Sequence, residues 1–403
     1  MKSSWKKVCL GDIISIKHGW AFPGIGITSQ KSKNVLVTPG NFEIGGGFKY
    51  SDKKFFNKDY PEDYLLSPGD LIVTMTDLSK ETDTLGYSAL VPNDGRNYLH
   101  NQRIGLVQLK NCEVDKLFIY WLMRTKLYQR FVANYAHGTS VKHTSPSLIG
   151  KFCFMLPDIA EQKKISSILS ALDKKIAINK AINKNLEATA QAIFKSWFID
   201  FEPFGGIMPA DWKKDSLSNI AKYTNGLAMQ NYRPVAGDIG LPVLKIKELR
   251  QGMCDTDSDL CSSEIDKEFI IHDGDVIFSW SGSLLVDLWC GGICGLNQHL
   301  FKVTSDIYDK WFYYSWTQHH LVQFQTIASA KATTMGHIKR GDLEKATVVI
   351  PSQEDYQSIG NLLKPIYDTI ISNKVENKRL AEIRDALLPK LMSGEIDVSQ
   401  VKI

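Results

Sequence analysis

SWKKVCLGDIISIKHGWAF (residues 4–22) and DWKKDSLSNIAKYTNGLAM (residues 211–229) are one pattern written twice, 207 residues apart. Trp5, Lys6, Lys7, Leu10, Ile13, Gly19 and Ala21 match Trp212, Lys213, Lys214, Leu217, Ile220, Gly226 and Ala228. Working outward, YLLSPGDLIVTMT (64–76) matches FIIHDGDVIFSWS (269–281) at an offset of 205, and HNQRI (100–104) matches LNQHL (296–300) at 196. VDKLFIYW (114–121) matches YDKWFYYS (308–315) at 194, and that offset then holds to the end of the second copy. Blocks that keep their order with so little drift mark an internal duplication. The copies agree where strands are expected and differ in the connecting loops, so scaffold and variable surface are separated.

Each copy has two parts. The first is mixed α/β, with short apolar runs after a Gly-Asp turn (Gly69-Asp70, Gly274-Asp275) that read as buried strands. Asp70 and Asp275 are read as turn residues. Residues 118–132 and 311–327 read as aromatic-rich helices. The second part is a long helix with an apolar seam at steps of four and three. In the first it runs Ile165, Leu169, Leu172, Ile176, Asn179, Asn183, Leu186, Ala190, Ile193, Trp197. In the second it runs Ile359, Leu363, Ile366, Ile370, Asn373, Asn377, Leu380, Arg384, Leu387, Leu391. A repeat of about 3.5 residues predicts a coiled coil. Both seams carry two asparagines at the centre, and a buried amide that needs a partner amide fixes register. Centring alone fits parallel and antiparallel pairing equally. Asp158 is the expected cap of the first helix, and Pro365 is expected to kink or restart the second. The expected fold class is α+β: two similar mixed α/β domains, residues 1–156 and 205–350, separated by long helices at 157–204 and 351–403 that form a coiled coil.

The 403 residues, 43% hydrophobic and 23% charged, suit a globular protein of two or three domains. No apolar run approaches the ~18 residues that cross a bilayer, and the first residues lack the apolar core of a signal peptide. A cytoplasmic location with no membrane role is expected. Seven scattered cysteines do not look like a disulfide framework. Cys290 and Cys294 lack the companions of a zinc set of about four ligands, so no metal is expected. A net charge of +4 neither demands nor excludes nucleic acid.

The stretch LPDIAEQKKISSILSALDKKIAINKAINKNLEATAQAIFKSWFIDFEP (156–203) resembles the central conserved region of type I restriction–modification specificity (S) subunits. Its most diagnostic pieces are AEQK (160–163), LSALD (169–173) and AIFKSWF (192–198). IPSQEDYQ…LLPKLMSGEI (350–396) is similar to the distal conserved region of that family. The resemblance implies that each α/β domain is a target recognition domain reading one part of a split double-stranded DNA sequence. It implies an antiparallel coiled coil with a pseudo-two-fold internal repeat, since two repeated domains on opposite strands are most easily related by a two-fold axis; Asn179 is then expected near Asn377 and Asn183 near Asn373. It also implies two modification (methyltransferase) subunits that methylate adenine, and restriction (nuclease/translocase) subunits. S-adenosylmethionine, ATP and Mg would sit on those partners, with no cofactor on this chain.

Base readout needs side chains that pair with base edges, Arg or Lys with guanine and Asn or Gln with adenine. Two equivalent loops hold such residues: Asn101, Gln102, Arg103 and Asn297, Gln298, His299. The alternative is that Asn and Gln brace the loop backbone. A second equivalent pair holds Thr139, Ser140, Lys142 and His143 against Lys331, Thr333, Thr334, His337, Lys339 and Arg340. These hydroxyl-bearing and basic groups suit phosphates, which position a domain without specifying sequence. The sequence has no Asn/Asp-Pro-Pro-aromatic methyltransferase motif, no Gly-x-x-x-x-Gly-Lys-Ser/Thr loop and no His-Glu-x-x-His site, so no catalytic residue is expected. Two other readings stay open here: a self-contained methyltransferase or nuclease, and a coiled-coil assembly adaptor without DNA contact.

Overall fold

The computed structural model describes residues 5–50, 54–77, 79, 83–139, 141–330 and 336–401. They form two compact units, Met1–Asp173 with Glu382–Ile403, and Lys174–Ala381. Each unit contains one copy of the repeat and a share of both long helices.

The main sheet of each unit is four-stranded and antiparallel. In the first unit the spatial order is Ile14–His18, Ile104–Leu109, Leu71–Thr74, Ser88–Leu90. In the second it is Lys222–Asn225, Leu300–Thr304, Val276–Ser279, Leu285–Leu288. The Gly-Asp turns feed the third strand of each. Gly69 (φ 80°) and Gly274 (φ 89°) take the left-handed conformation that favours glycine. Asp70 accepts from the Ser67 amide at 2.8 Å and Asp275 from the His272 amide at 2.9 Å, closing the two turns alike. A smaller sheet in each unit contains one parallel pair, Asn34–Val37 beside Asn97–His100 and Leu241–Leu244 beside Cys294–Leu296.

The Trp-Lys-Lys blocks lie on short strands that pair with the strand just before each long helix, Lys6–Cys9 with Cys153–Leu156 and Lys213–Ser216 with Thr347–Ile350. The indole of Trp5 donates to Glu161 at 2.9 Å and that of Trp212 to Asp355 at 2.8 Å. Both acceptors sit in the first turn of a long helix, so each tryptophan ties the start of its domain to the start of its helix. The cysteine pattern gave no reason to expect a disulfide, yet the first strand pair sets Cys9 opposite Cys153 and the two are bonded. The second copy has Ser216 opposite Thr347 in the same register.

The aromatic helix of the second unit is continuous, Lys310–Ala330, but its counterpart is not. Residues 118–132 fall in two helices, Lys116–Leu122 and Lys126–Asn134, because Thr125 caps the second by accepting from the Tyr128 amide at 3.2 Å. The long helices are Ile159–Phe198 and Gln353–Met392. Asp158 accepts from the Glu161 amide at 2.8 Å as the first N-cap. Pro365 does not restart the second helix. It faces solvent, and the carbonyl that loses its partner belongs to exposed Asn361.

Within the second unit Asn179 donates to Asn377 at 3.0 Å and Asn373 to Asn183 at 2.8 Å, so the helices run antiparallel. The first seam changes near its end. Phe194 and Phe198, rather than Ile193 and Trp197, are the buried residues, and they pack on Trp316 of the aromatic helix. The spacing from Ala190 onward becomes four and four, which rotates the buried face from the partner helix to the domain core. In the first unit the seam residue Arg384 is ion-paired with Asp173 at 2.6 Å. Asp173 also receives Arg124, 2.6 Å away, from the break between the two short helices.

Candidate nucleic-acid interface

The Asn-Gln loops are built the same way in both units. Gly19 and Gly226 lie against the backbone of Asn101 and Asn297, so closely that a Cβ would meet the carbonyl oxygen at 2.2 and 2.3 Å. Only glycine fits there. The amide of Gln102 donates to the Trp20 carbonyl at 3.0 Å, and that of Gln298 to the Leu227 carbonyl at 2.9 Å. Asn101 accepts from the Arg103 amide at 3.1 Å, and Asn297 from the His299 amide at 3.3 Å. The side-chain oxygen of each asparagine thus braces its own loop. Gln102, Arg103 and His299 are exposed, while the Gln298 oxygen is buried without a partner.

The second predicted segment reaches the same place. Lys142–His143 pairs with Thr76–Asp77, and His143 Nδ1 lies 3.2 Å from the Thr76 hydroxyl. His18, Gly19, Thr76, Gln102, Arg103 and His143 line one open groove of about 500 Å³. In the second unit His337 bridges Ser281, and Ser281 lies 3.1 Å from His299 Nδ1. The same backbone bond holds both segments: the Thr144 amide donates to the Met75 carbonyl at 3.0 Å, and Ile338 to Trp280 at 3.1 Å. Thr139 is exposed beside this segment in the first unit, and Lys339 and Arg340 are exposed in the second. Ser140, Lys331, Thr333 and Thr334 lie outside the described residues.

Two buried groups hold the first groove in shape. Asp77 accepts from the Ser79 amide, the Thr84 amide and the Thr84 hydroxyl at 2.6 to 2.7 Å. Burial alone would raise its carboxyl, but these donors outweigh it and hold it below the usual carboxylate range. His100, fully buried, reaches the Ile104 carbonyl at 2.9 Å through Nε2, and burial pushes its pKa down to about 4. It is therefore neutral at pH 7 and donates that bond.

His18, Thr76, Asn225, Ser281 and Trp280 were not singled out from the sequence. The repeat held the signal: Thr74 and Ser279 bond the carbonyls of Thr76 and Ser281 at 2.9 and 3.2 Å, so TMT and SWS form the same turn.

Residues 2–188 and 209–383 match the type I restriction modification DNA specificity domain, once in each half. The chain belongs to the type I restriction–modification DNA specificity family. Similar members include the type I restriction enzyme MjaIX specificity subunit of Methanocaldococcus jannaschii, 28% identical, with 79% of this chain and 76% of that one covered. The EcoBI specificity subunit of Escherichia coli is 22% identical over 98% of this chain and 86% of its own. The crystal structure of an S subunit from M. genitalium shares the fold, with a TM-score of 0.60 at 14% identity over 98% of this chain and 97% of that one. The specificity family thus accounts for both copies of the repeat and for the helices that follow them. Among the described residues no helix is long and apolar enough to cross a membrane.

Proposed function

We propose that this chain reads a two-part double-stranded DNA sequence, one part with each copy of the repeat, as the non-catalytic specificity subunit of a type I restriction–modification complex. The observation that carries the reading is the convergence in both units of the same equivalent positions: His18, Thr76, Arg103 and His143 in the first, Asn225, Ser281, His299 and His337 in the second. Two surfaces of one design with different side chains suit the reading of two different sequences. Residues 1–156 and 205–350 are the reading domains in this proposal, and the helices at 157–204 and 351–403 join them. Gln102, Arg103 and His299 face base edges, whereas Thr139, Lys142, Lys339 and Arg340 suit phosphates. Antiparallel helices fit two copies of a domain on a duplex with pseudo-two-fold symmetry. Two modification subunits carry the adenine methylation with S-adenosylmethionine, and restriction subunits use ATP and Mg.

The test is to assemble the chain with modification subunits, methylate a random DNA library and sequence the marked sites. A two-part motif is expected, with one part changing when residues 205–350 are replaced by another member's second domain. A change in both parts refutes modular reading. Methyl transfer by the lone chain refutes the non-catalytic role.

A further inference from the structure

Trp280 distinguishes the second interface from the first. Its counterpart Met75 is buried at 3% exposure, whereas Trp280 is half-buried. The indole stacks on Phe301, with centroids 5.7 Å apart and planes at 30°, and meets His337 edge-on at 6.2 Å. Its N–H donates to Oδ1 of the exposed Asn225 at 3.0 Å, and Ser281, next to Trp280 in the chain, lies 3.1 Å from His299 Nδ1. An indole N–H is a donor only, so the amide of Asn225 has one allowed orientation, oxygen to the tryptophan and amino group outward. A free asparagine grips adenine with both groups, accepting from N6 and donating to N7. Asn225 has its acceptor engaged and presents a donor alone.

We propose that Asn225 is a specificity-determining residue of the second recognition domain, that it rejects cytosine at one position, and that Trp280 is the positioning residue that imposes this choice. The inference rests on the DNA-reading function proposed above. The O6 of guanine and O4 of thymine accept from the amino group. The N7 of adenine accepts it too, whereas the major-groove edge of cytosine offers only the N4 amino group, a donor that would need the amide oxygen held by Trp280. The first domain has His18 and Met75 at these places and no such constraint.

The experiment uses the chain assembled with its modification subunits on a random DNA library. Trp280→Phe keeps the ring on Phe301 but removes the N–H. It should admit cytosine at one position of the second part of the motif and leave the first part unchanged. Asn225→Ala should lower discrimination at that same position by about tenfold, the effect of one lost base contact. An unaltered motif with Trp280→Phe overturns the positioning role. An equal loss with Asn225→Ala for every sequence makes Asn225 a phosphate contact and overturns the readout. Asn225 is at the surface, so its variant tests the proposal even if Trp280→Phe unfolds, and an intact first part of the motif reports a folded complex. Failure of the wild-type complex to give any two-part motif would instead overturn the underlying function.

Discussion

Nδ2 of Asn179 donates to Oδ1 of Asn377 across the long helices at 3.0 Å, while Oδ1 of Asn179 itself is buried without a partner. The pair is specific but incompletely satisfied. An orphaned buried polar atom costs on the order of 1–3 kcal/mol, so this amide layer costs stability relative to an apolar one. Replacing Asn179, Asn183, Asn373 and Asn377 together by Leu should keep or raise the thermal midpoint. The same variant should loosen the register, read as a mixture of spacer lengths in the methylated motif. A lower midpoint with one unchanged spacer would contradict this.

Asp173 accepts two guanidiniums, from Arg124 and Arg384, each at 2.6 Å. Burial alone would raise its carboxyl, but the two cations outweigh it and hold it below the usual range. Asp173→Ala leaves the largely buried Arg124 without its carboxylate and Arg384 with Asp385 alone, and should cost about 3 kcal/mol, measured by denaturant unfolding. The native pair contributes fully above the unfolded carboxyl value near pH 4. Its contribution is lost as pH falls through the lower, folded value.

His100 acts at milder acidity. Its folded pKa is lowered from 6.5 to about 4 by burial. Between those values the unfolded chain binds a proton that the folded chain refuses, so stability falls as pH drops through that window and levels off below it. The effect is about 3 kcal/mol at most. The second copy has Leu296 at this position, and His100→Leu should flatten the pH dependence of the denaturation midpoint between pH 6.5 and 4.

Arg103 follows the braced Asn101 and projects into the groove. With a bidentate guanine contact, Arg103→Ala should cost about 1–3 kcal/mol and relax one position of the first part of the motif. Sequencing of methylated sites separates this from a uniform loss, the mark of a phosphate contact.

The repeat was legible because the same residues do the same work twice. Trp5 and Trp212 find Glu161 and Asp355, Gly19 and Gly226 admit a carbonyl, and Asp70 and Asp275 close a turn. The heptads were legible while each helix faced the other, and failed at Phe194 and Phe198, where tertiary packing overrides the period. The break at Thr125 was hidden because its cap depends on one hydroxyl, set between Arg124 and Lys126 in an otherwise helix-like stretch. Cys9 and Cys153 lie 144 residues apart, and no local spacing reveals a pair that strand register creates. Trp280 and Asn225 were missed because each looks like the end of an ordinary strand. Their bond joins residues 55 apart.

The order in which the polypeptide is synthesised gives the two units different histories. The second unit is one uninterrupted segment, Lys174–Ala381, whereas the first is completed only by Glu382–Ile403. Leu388, Leu391 and Val398 are buried in the same core as Trp5, Leu10 and Ile165. The half that emerges first from the ribosome must therefore wait, with its core unfinished, while the later half folds, and it closes only when the final stretch arrives. A ribosome that stalls within the last helix would release a chain whose damage lies at its beginning.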